Sequence, residues 1–307
     1  MQVLISTSSF NLDNFSQLSD LKNAGVEVKL NPFAARLTED QVIELLGTDT
    51  IGLIAGLEPL TKNVLQVAKS LKVIARVGTG LDSVDLDAAK QLGITVLNTP
   101  DAPTKAVAEL TLAHILGLLR HVSQADRQVR VGVWKGLMGS LLQTKTVGIV
   151  GFGRIGKRVA TLLSAFGASV IMSDAQVSKS DYPNVELDEL CIKSDILSLH
   201  LPYNEATHHI INEKHFNLMK KGSYIVNISR GGLVDETALL AALKSGHLAG
   251  AALDCFEQEP YEGELRNLET VQITAHMGSY ARETRDLMEQ EASRLLVDAL
   301  HEKNLLK

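Results

Sequence analysis

The stretch over residues 146–174 constrains this chain more than any other. It reads TVGIVGFGRIGKRVATLLSAFGASVIMSD. Thr146–Val150 is a short apolar run of strand character, and Gly151, Gly153 and Gly156 then form G-x-G-x-x-G. Residues 154–166 have helical spacing, Gly167 stops them, and 169–172 is a second apolar run that leads to Asp174. Strand, glycine turn, helix, strand and acid in that order turn a weak glycine pattern into a dinucleotide-binding fingerprint.

Each glycine has its own task. Gly151 permits the tight turn out of the strand, Gly153 lets the backbone approach a pyrophosphate, and Gly156 lets the helix pack close to the sheet. The helix N-terminus then offers N–H groups and partial positive charge to the phosphates. Asp174 lies 18 residues after Gly156 (174 − 156), near the spacing of about 20 expected of the acid that accepts the adenosine ribose hydroxyls. A carboxylate there repels a 2′-phosphate, so the predicted cofactor is NAD and not NADP.

The rest of the chain alternates strand and helix. Expected strands at 2–5, 26–30, 51–55, 73–76 and 94–97 alternate with helices at 14–24, 38–46, 61–68 and 84–91, a pattern that predicts a parallel sheet covered by helices. Thr38 and Gln41 make a capping-box signature at the start of one of them. Asn98-Thr99-Pro100-Asp101-Ala102-Pro103 is turn-rich and marks a boundary. A single long apolar helix is expected over 104–122, apolar enough on both sides to lie between domains or subunits. The only tryptophan, Trp134, reads as a packing residue. After the fingerprint the alternation resumes, with helices at 185–191, 213–219 and 236–245 and strands at 196–199, 223–228, 249–253 and 271–274. A last helix, 282–300, falls after this sheet is complete and is expected to return to the first domain. The predicted fold is therefore α/β, with two doubly wound parallel-sheet domains: residues 1–100 plus 282–307 for the substrate, and 101–281 as a Rossmann NAD-binding domain.

Composition narrows the function. Hydrophobic residues make up 45% of 307 and the net charge is −6 without a basic block, which argues against nucleic acid as the partner. No apolar run reaches the length of a membrane span and the N-terminus lacks a signal-like segment, so a cytoplasmic protein with no membrane partner is expected. Cys191 and Cys255 are far apart and lack metal-ligand spacing, so reduced thiols and no metal are expected.

Candidate chemistry clusters at strand ends. A dehydrogenase acting on a carbon-bound oxygen needs a proton donor, a cation for a carboxylate, and a group that holds the donor in its working state. His276, Arg230 and Glu259 each follow a predicted strand of the second domain, where the carboxyl ends of parallel strands form the ligand crevice. His200, just after another strand, is expected to touch the cofactor without transferring a proton. His114, His121, His208 and His209 read as structural. Cys255, in an apolar setting, reads as a small core residue and not a nucleophile.

The sequence resembles the D-isomer-specific 2-hydroxyacid dehydrogenases over nearly its whole length. The resemblance is carried by Val77-Gly78-Thr79-Gly80-Leu81-Asp82, Val107-Ala108-Glu109, the fingerprint, His200-Leu201-Pro202, Asn227-Ile228-Ser229-Arg230-Gly231-Gly232, Asp254-Cys255-Phe256-Glu257-Gln258-Glu259-Pro260 and His276-Met277-Gly278-Ser279. It implies that Arg230 binds and polarises the substrate, that His276 is the acid–base, and that Glu259 is its partner. It implies a cofactor site of Gly151, Gly153, Arg154, Ile155, Gly156, Asp174, His200, Pro202, Thr207, Ile228, Asp254 and Gly278. Leu57, Val77, Gly78 and Thr79, with Arg230 and His276, would bind the substrate, the 77–80 backbone amides taking its carboxylate. The family also implies a homodimer and a discontinuous substrate domain.

Within that family the layout is most similar to short phosphoglycerate dehydrogenase-like and hydroxypyruvate or glyoxylate reductase-like members. Asn31-Pro32 and Arg36-Leu37-Thr38-Glu39 resemble the former. The loop Leu57-Glu58-Pro59 lacks the arginines of some phosphoglycerate-specific members, and the chain ends at Lys307 without their regulatory domain. The expected activity is hydride transfer between NAD(H) and a small 2-hydroxy or 2-oxo acid, with 3-phosphoglycerate, hydroxypyruvate and glyoxylate as candidate chemistries. An NAD-sensing corepressor, a binding protein on the same fold, is the reading from another class.

Overall fold

The computed structural model describes residues 1–10, 12, 17–177 and 179–306. The chain divides into two compact units, Met1–Pro103 with Ser279–Lys307, and Thr104–Gly278.

The first unit alternates β1 (Gln2–Ile5), α1 (Gln17–Asn23), β2 (Glu27–Leu30), α2 (Glu39–Leu46), β3 (Thr50–Ala55), α3 (Lys62–Val67), β4 (Val73–Arg76), α4 (Leu86–Gln91) and β5 (Thr95–Asn98). The expected helix at 14–24 is described only from Gln17; its start lies outside the described residues. Helices begin where a side-chain oxygen satisfies an orphan N–H. Thr38 and Gln41 form the expected reciprocal box at the head of α2, and Thr61 and Asp85 cap α3 and α4; each such cap stabilises by ~1 kcal/mol. The strands pair in parallel in the order β2-β1-β3-β4-β5. The order reverses at β1, so the crevice of this sheet lies beyond the carboxyl ends of β1 and β3.

The second unit comprises α5 (Thr104–Leu119), α6 (Val122–Arg130), β6 (Thr146–Val150), α7 (Arg154–Ala165), β7 (Ser169–Ser173), α8 (Leu187–Lys193), β8 (Ile196–Leu199), α9 (Glu213–Leu218), β9 (Ser223–Asn227), α10 (Glu236–Lys244), β10 (Leu248–Leu253) and β11 (Val271–Ile273). Its six strands are all parallel, in the order β11-β10-β9-β8-β6-β7. Successive side chains enter opposite cores, as the period of two requires: Ile225 and Ala251 join α8, α9 and α10 on one face, while Val226 and Ala252 join α5 and α7 on the other.

One expectation about the segment before β6 fails. The long apolar helix ends at Leu119; His121 takes a left-handed conformation (φ 55°) and a separate polar helix, α6, begins. Its apolar residues, Val107, Ala108, Ile115, Leu118 and Leu119, belong to the core of the second unit. Trp134 is 92% exposed and packs on nothing in its own chain.

The last helix, α11 (Arg282–Glu302), completes the first unit. Met288, Ala292, Leu296 and Leu300 recur every four residues and are fully buried against the first sheet. Gly52 in β3 makes room for it, since a Cβ there would sit 3.1 Å from Leu296 Cδ1.

Candidate active site

Strands β9, β10 and β11 are neighbours, so the loops that leave their carboxyl ends are brought together. After β9, Asn227 accepts from the Ser229 amide at 3.1 Å and donates through Nδ2 to the Arg230 carbonyl at 2.7 Å, and Ser229 Oγ donates to Leu199 O. The turn is thereby locked. Gly231 then lets it press against the next loop: a Cβ there would lie 1.8 Å from the Phe256 carbonyl carbon. The half-buried Arg230 thus sits beside the loop that carries Glu259, with one guanidinium nitrogen donating to Ser229 O at 2.7 Å.

Glu259 accepts from the Phe256 amide at 3.2 Å and precedes a cis proline, Pro260. Both its carboxylate oxygens lie 3.0 Å from His276 Nδ1. The pair is largely shielded, at 24% and 20% exposure. With Nδ1–H given to Glu259, the other ring nitrogen is left for a ligand. His276 has φ 50°, unusual for a residue with a Cβ. Its loop is held by Asp254: the His276 amide donates to Asp254 O at 2.7 Å, the Met277 amide to Oδ1 at 2.9 Å and the Gly278 amide to Oδ2 at 2.8 Å.

At the second sheet the strand order turns at β6, and the crevice lies between the ends of β6 and β8. Gly151 (φ 89°) turns there, and a Cβ on it would meet His200 O at 2.7 Å. A Cβ on Gly156 would lie 2.2 Å from Gly151 O, whereas nothing stands within 4 Å of one on Gly153. The chain thus leaves open space at the position where a pyrophosphate needs it, beside the amides that open α7, with Arg154 exposed and Ile155 half-buried there. Asp174 is tied to this turn, accepting from the Phe152 amide at 2.7 Å and the Gln176 amide at 2.8 Å. These residues fit a dinucleotide.

The remaining expected cofactor residues vary. Ile228 is buried against Gly278. His200 is linked to Ser198 Oγ at 2.9 Å, and burial pushes its imidazole down to about 3, so it stays neutral. Pro202 is exposed on the loop after β8. The Thr207 hydroxyl is engaged by its own loop, donating to Pro202 O at 2.9 Å and accepting from the Asn204 amide at 2.8 Å.

In the first unit the 77–80 turn needs a correction. The Val77 amide donates to Ala55 O at 2.8 Å and the Gly78 amide to Thr99 Oγ1 at 2.8 Å, so both are already engaged. Gly78 (φ 138°) admits no side chain, because Arg76 fills the space. Leu57 is half-buried beyond β3. Sequence reasoning missed its neighbour: Glu58 is 1% exposed and accepts from Ser6 Oγ and from the Gly56 amide at 3.0 Å, at the crevice of the first sheet. A carboxylate three residues after an apolar strand carries no sequence signal of burial.

Both thiols are buried and inert. Burial pushes Cys191 up to about 12 and raises Cys255 well above its ordinary range. Among the described residues no group of acids, histidines and cysteines is arranged to hold a metal, and no helix is long and apolar enough to cross a membrane.

A glycine turn at a sheet's crossover, with a half-buried histidine–carboxylate pair and an arginine at the strand ends of the same sheet, defines an oxidoreductase of the dinucleotide-dependent type. Residues 112–278 match the D-isomer specific 2-hydroxyacid dehydrogenase, NAD binding domain. A hydroxypyruvate reductase of Thermotoga maritima is 38% identical over 84% of this chain and 87% of its own length. A D-3-phosphoglycerate dehydrogenase of Methanocaldococcus jannaschii is 39% identical over 82% of this chain, which spans only 50% of that longer protein. The crystal structure of a glyoxylate reductase from Paecilomyes thermophila superposes with a TM-score of 0.88 at 31% identity, covering 100% of this chain and 97% of the other. The chain belongs to the D-isomer specific 2-hydroxyacid dehydrogenase family, NAD-dependent oxidoreductases that act on CH–OH groups.

Proposed function

We propose that this dehydrogenase reduces a small 2-oxo acid without a phosphate, of the hydroxypyruvate or glyoxylate kind, with His276 as acid–base, Glu259 as its partner and Arg230 as the substrate cation. The observation that carries the reading is the pairing of both Glu259 oxygens with His276 Nδ1 at 3.0 Å. Bound NADH supplies the hydride. Protonated His276 gives its Nε2 proton to the forming alkoxide; in the reverse direction Nε2 of the neutral ring removes it. Arg230 offers a planar fork that engages two substrate oxygens at once and polarises the carbonyl. With the Val77 and Gly78 amides engaged, those of Thr79 and Gly80 are the candidates for the carboxylate. Gly151, Gly153 and the α7 amides would hold the pyrophosphate, Asp174 the adenosine ribose, and His200, Ile228, Asp254 and Gly278 the nicotinamide side. The substrate choice rests on the loop Leu57-Glu58-Pro59, which lacks the arginines of some phosphoglycerate-specific members. A panel of NADH oxidation rates with hydroxypyruvate, glyoxylate, pyruvate and phosphohydroxypyruvate tests this; the highest kcat/KM with phosphohydroxypyruvate refutes it.

We further propose a cytoplasmic homodimer. Val131, Trp134 and Met138 are 77%, 92% and 93% exposed, and Val122, Val129, Val133 and Leu141 are also exposed. Apolar exposure beyond a few hundred Å² marks an interaction surface, and a second copy would bury ~800 Å² on each side. Light scattering should give twice the 33.2 kDa chain mass, and Trp134→Asp should yield monomer; a wild-type monomer overturns the proposal.

A further inference from the structure

The catalytic loop carries a backbone conformation that needs outside support. Left-handed φ at a residue with a Cβ is strained, and such strain persists only where the surroundings over-determine it. Asp254 provides three of the constraints on His276, Met277 and Gly278. It is 1% exposed, and its carboxylate has a further donor, Thr274 Oγ1, at 2.5 Å from Oδ1. Behind Thr274 stands His114 of α5, whose Nε2 is 3.2 Å from the same hydroxyl and whose Nδ1 is 3.1 Å from Gln272 Oε1. Gln272 fits beside α5 because residue 117 is glycine; a Cβ there would come within 2.8 Å of the amide.

We infer that His114 and Thr274 are positioning residues, a relay that acts through Asp254 to hold the His276 loop in its working geometry. This rests on the acid–base reading of His276 made above.

Hydrogen-bond polarity runs one way along the chain. The Asp254 carboxyl oxygens already accept from the Met277 and Gly278 amides, and the Thr274 hydroxyl donates to Oδ1. The hydroxyl oxygen can then only accept from His114, which requires the proton of the neutral ring on Nε2. Burial lowers the His114 pKa, which supports that neutral form. Nδ1 faces Gln272 Oε1 at 3.1 Å, so this polarity requires the Gln272 amide turned by 180°, with its NH₂ toward Nδ1. Each member restrains the next: His114 the hydroxyl of Thr274, Thr274 the carboxylate of Asp254, and that carboxylate the Met277 and Gly278 amides. None of these residues needs to touch substrate.

Thr274→Val keeps the shape of the side chain and removes the hydroxyl. The carboxylate of Asp254 then loses one restraint and the His276 loop relaxes; a misplacement of about 1 Å can lower the rate ~100-fold. We expect kcat to fall 10- to 100-fold in Thr274→Val, with NADH affinity by fluorescence titration changed by less than about threefold. Thr274→Ser, which restores the hydroxyl, should return kcat to within about threefold of the parent. His114→Leu should lower kcat in the same sense and His114→Gln, which can still donate to Thr274, should lower it less. Unchanged kcat in Thr274→Val, or serine no better than valine, overturns the relay. His276→Ala run alongside separates the two readings. If it stays active, the acid–base assignment fails; if it is inactive while Thr274→Val is fully active, only the relay fails. If Thr274→Val does not fold, the comparison of His114→Gln with His114→Leu decides, equal rates refuting the relay.

Discussion

Two fingerprint glycines, three residues apart, should respond oppositely to the same added methyl. An ideal Cβ on Gly156 lies 2.2 Å from Gly151 O, a backbone atom that no side-chain rotation can move, and 3.3 Å from Ile149 Cγ2. The first separation is roughly 1 Å inside contact distance. Gly156→Ala must therefore push the first turn of α7 away from the turn after β6. Overpacking of this kind costs ~1–3 kcal/mol, offset by up to about 1 kcal/mol from the better helix propensity of alanine. The net loss of about 1–2 kcal/mol corresponds to a Tm drop of about 2–8 °C for a unit of this size. Gly153 has φ −74°, a conformation alanine adopts freely, and nothing within 4 Å of the added Cβ. Gly153→Ala should leave the Tm of the cofactor-free protein within about 1 °C. Its methyl occupies the pyrophosphate approach, so NADH should bind at least tenfold more weakly, about 1.4 kcal/mol. The assay is thermal unfolding with and without NADH, together with a fluorescence titration. Gly156→Ala should lower the melting point in both conditions; Gly153→Ala should lose only the shift that NADH induces. Equal destabilisation of the two cofactor-free variants, or normal NADH binding by Gly153→Ala, refutes the reasoning.

Asp174→Ala removes the acceptor of the Phe152 amide as well as the ribose partner; NADH affinity should fall about tenfold and the preference over NADPH should shrink, and an unaltered cofactor ratio counts against the assignment. Arg230→Lys loses the two-oxygen fork, so kcat/KM should drop on the order of 100-fold, about 2.7 kcal/mol; near-parental kinetics would remove Arg230 from the site. Glu259→Gln keeps an acceptor for His276 Nδ1 but removes one of the two carboxylate oxygens that lie 3.0 Å from it, so kcat should fall about tenfold or more with NADH binding little changed; parental kcat would show that the pair is not functional. A Cys191 pushed to about 12 is only about one part in ten thousand thiolate at pH 8, and Cys255 is also raised. Native protein should therefore resist iodoacetamide at that pH, and labelling within minutes at either thiol would contradict their burial.

Much of the fold was legible because its signals are local. The capping box at Thr38 and Gln41, the strand–turn–helix of the fingerprint, and the βα alternation each lie within one or two turns of chain, where periodicity and turn chemistry speak for themselves. The same holds for the placement of Arg230, Glu259 and His276 at strand ends, since parallel strands put every such end on one rim. The break at His121 was not legible: Arg120-His121-Val122 contains neither glycine nor proline, and only the docking of α5 into its core sets where that helix stops.

What the sequence by itself determined is the architecture of each βα unit and the chemical inventory of the site, because both depend on residue type and spacing. What the tertiary structure decided is which groups are already spoken for. The Val77 and Gly78 amides look available in a glycine-rich turn, yet Ala55 and Thr99 take them. Trp134 reads as a packing residue in the sequence, and only the fold shows that it is 92% exposed in the single chain. Thr274 and His114, 160 residues apart, share a hydrogen bond only because α5 folds back onto the second sheet. Such pairings depend on strand order and helix docking, and no window of sequence contains both partners.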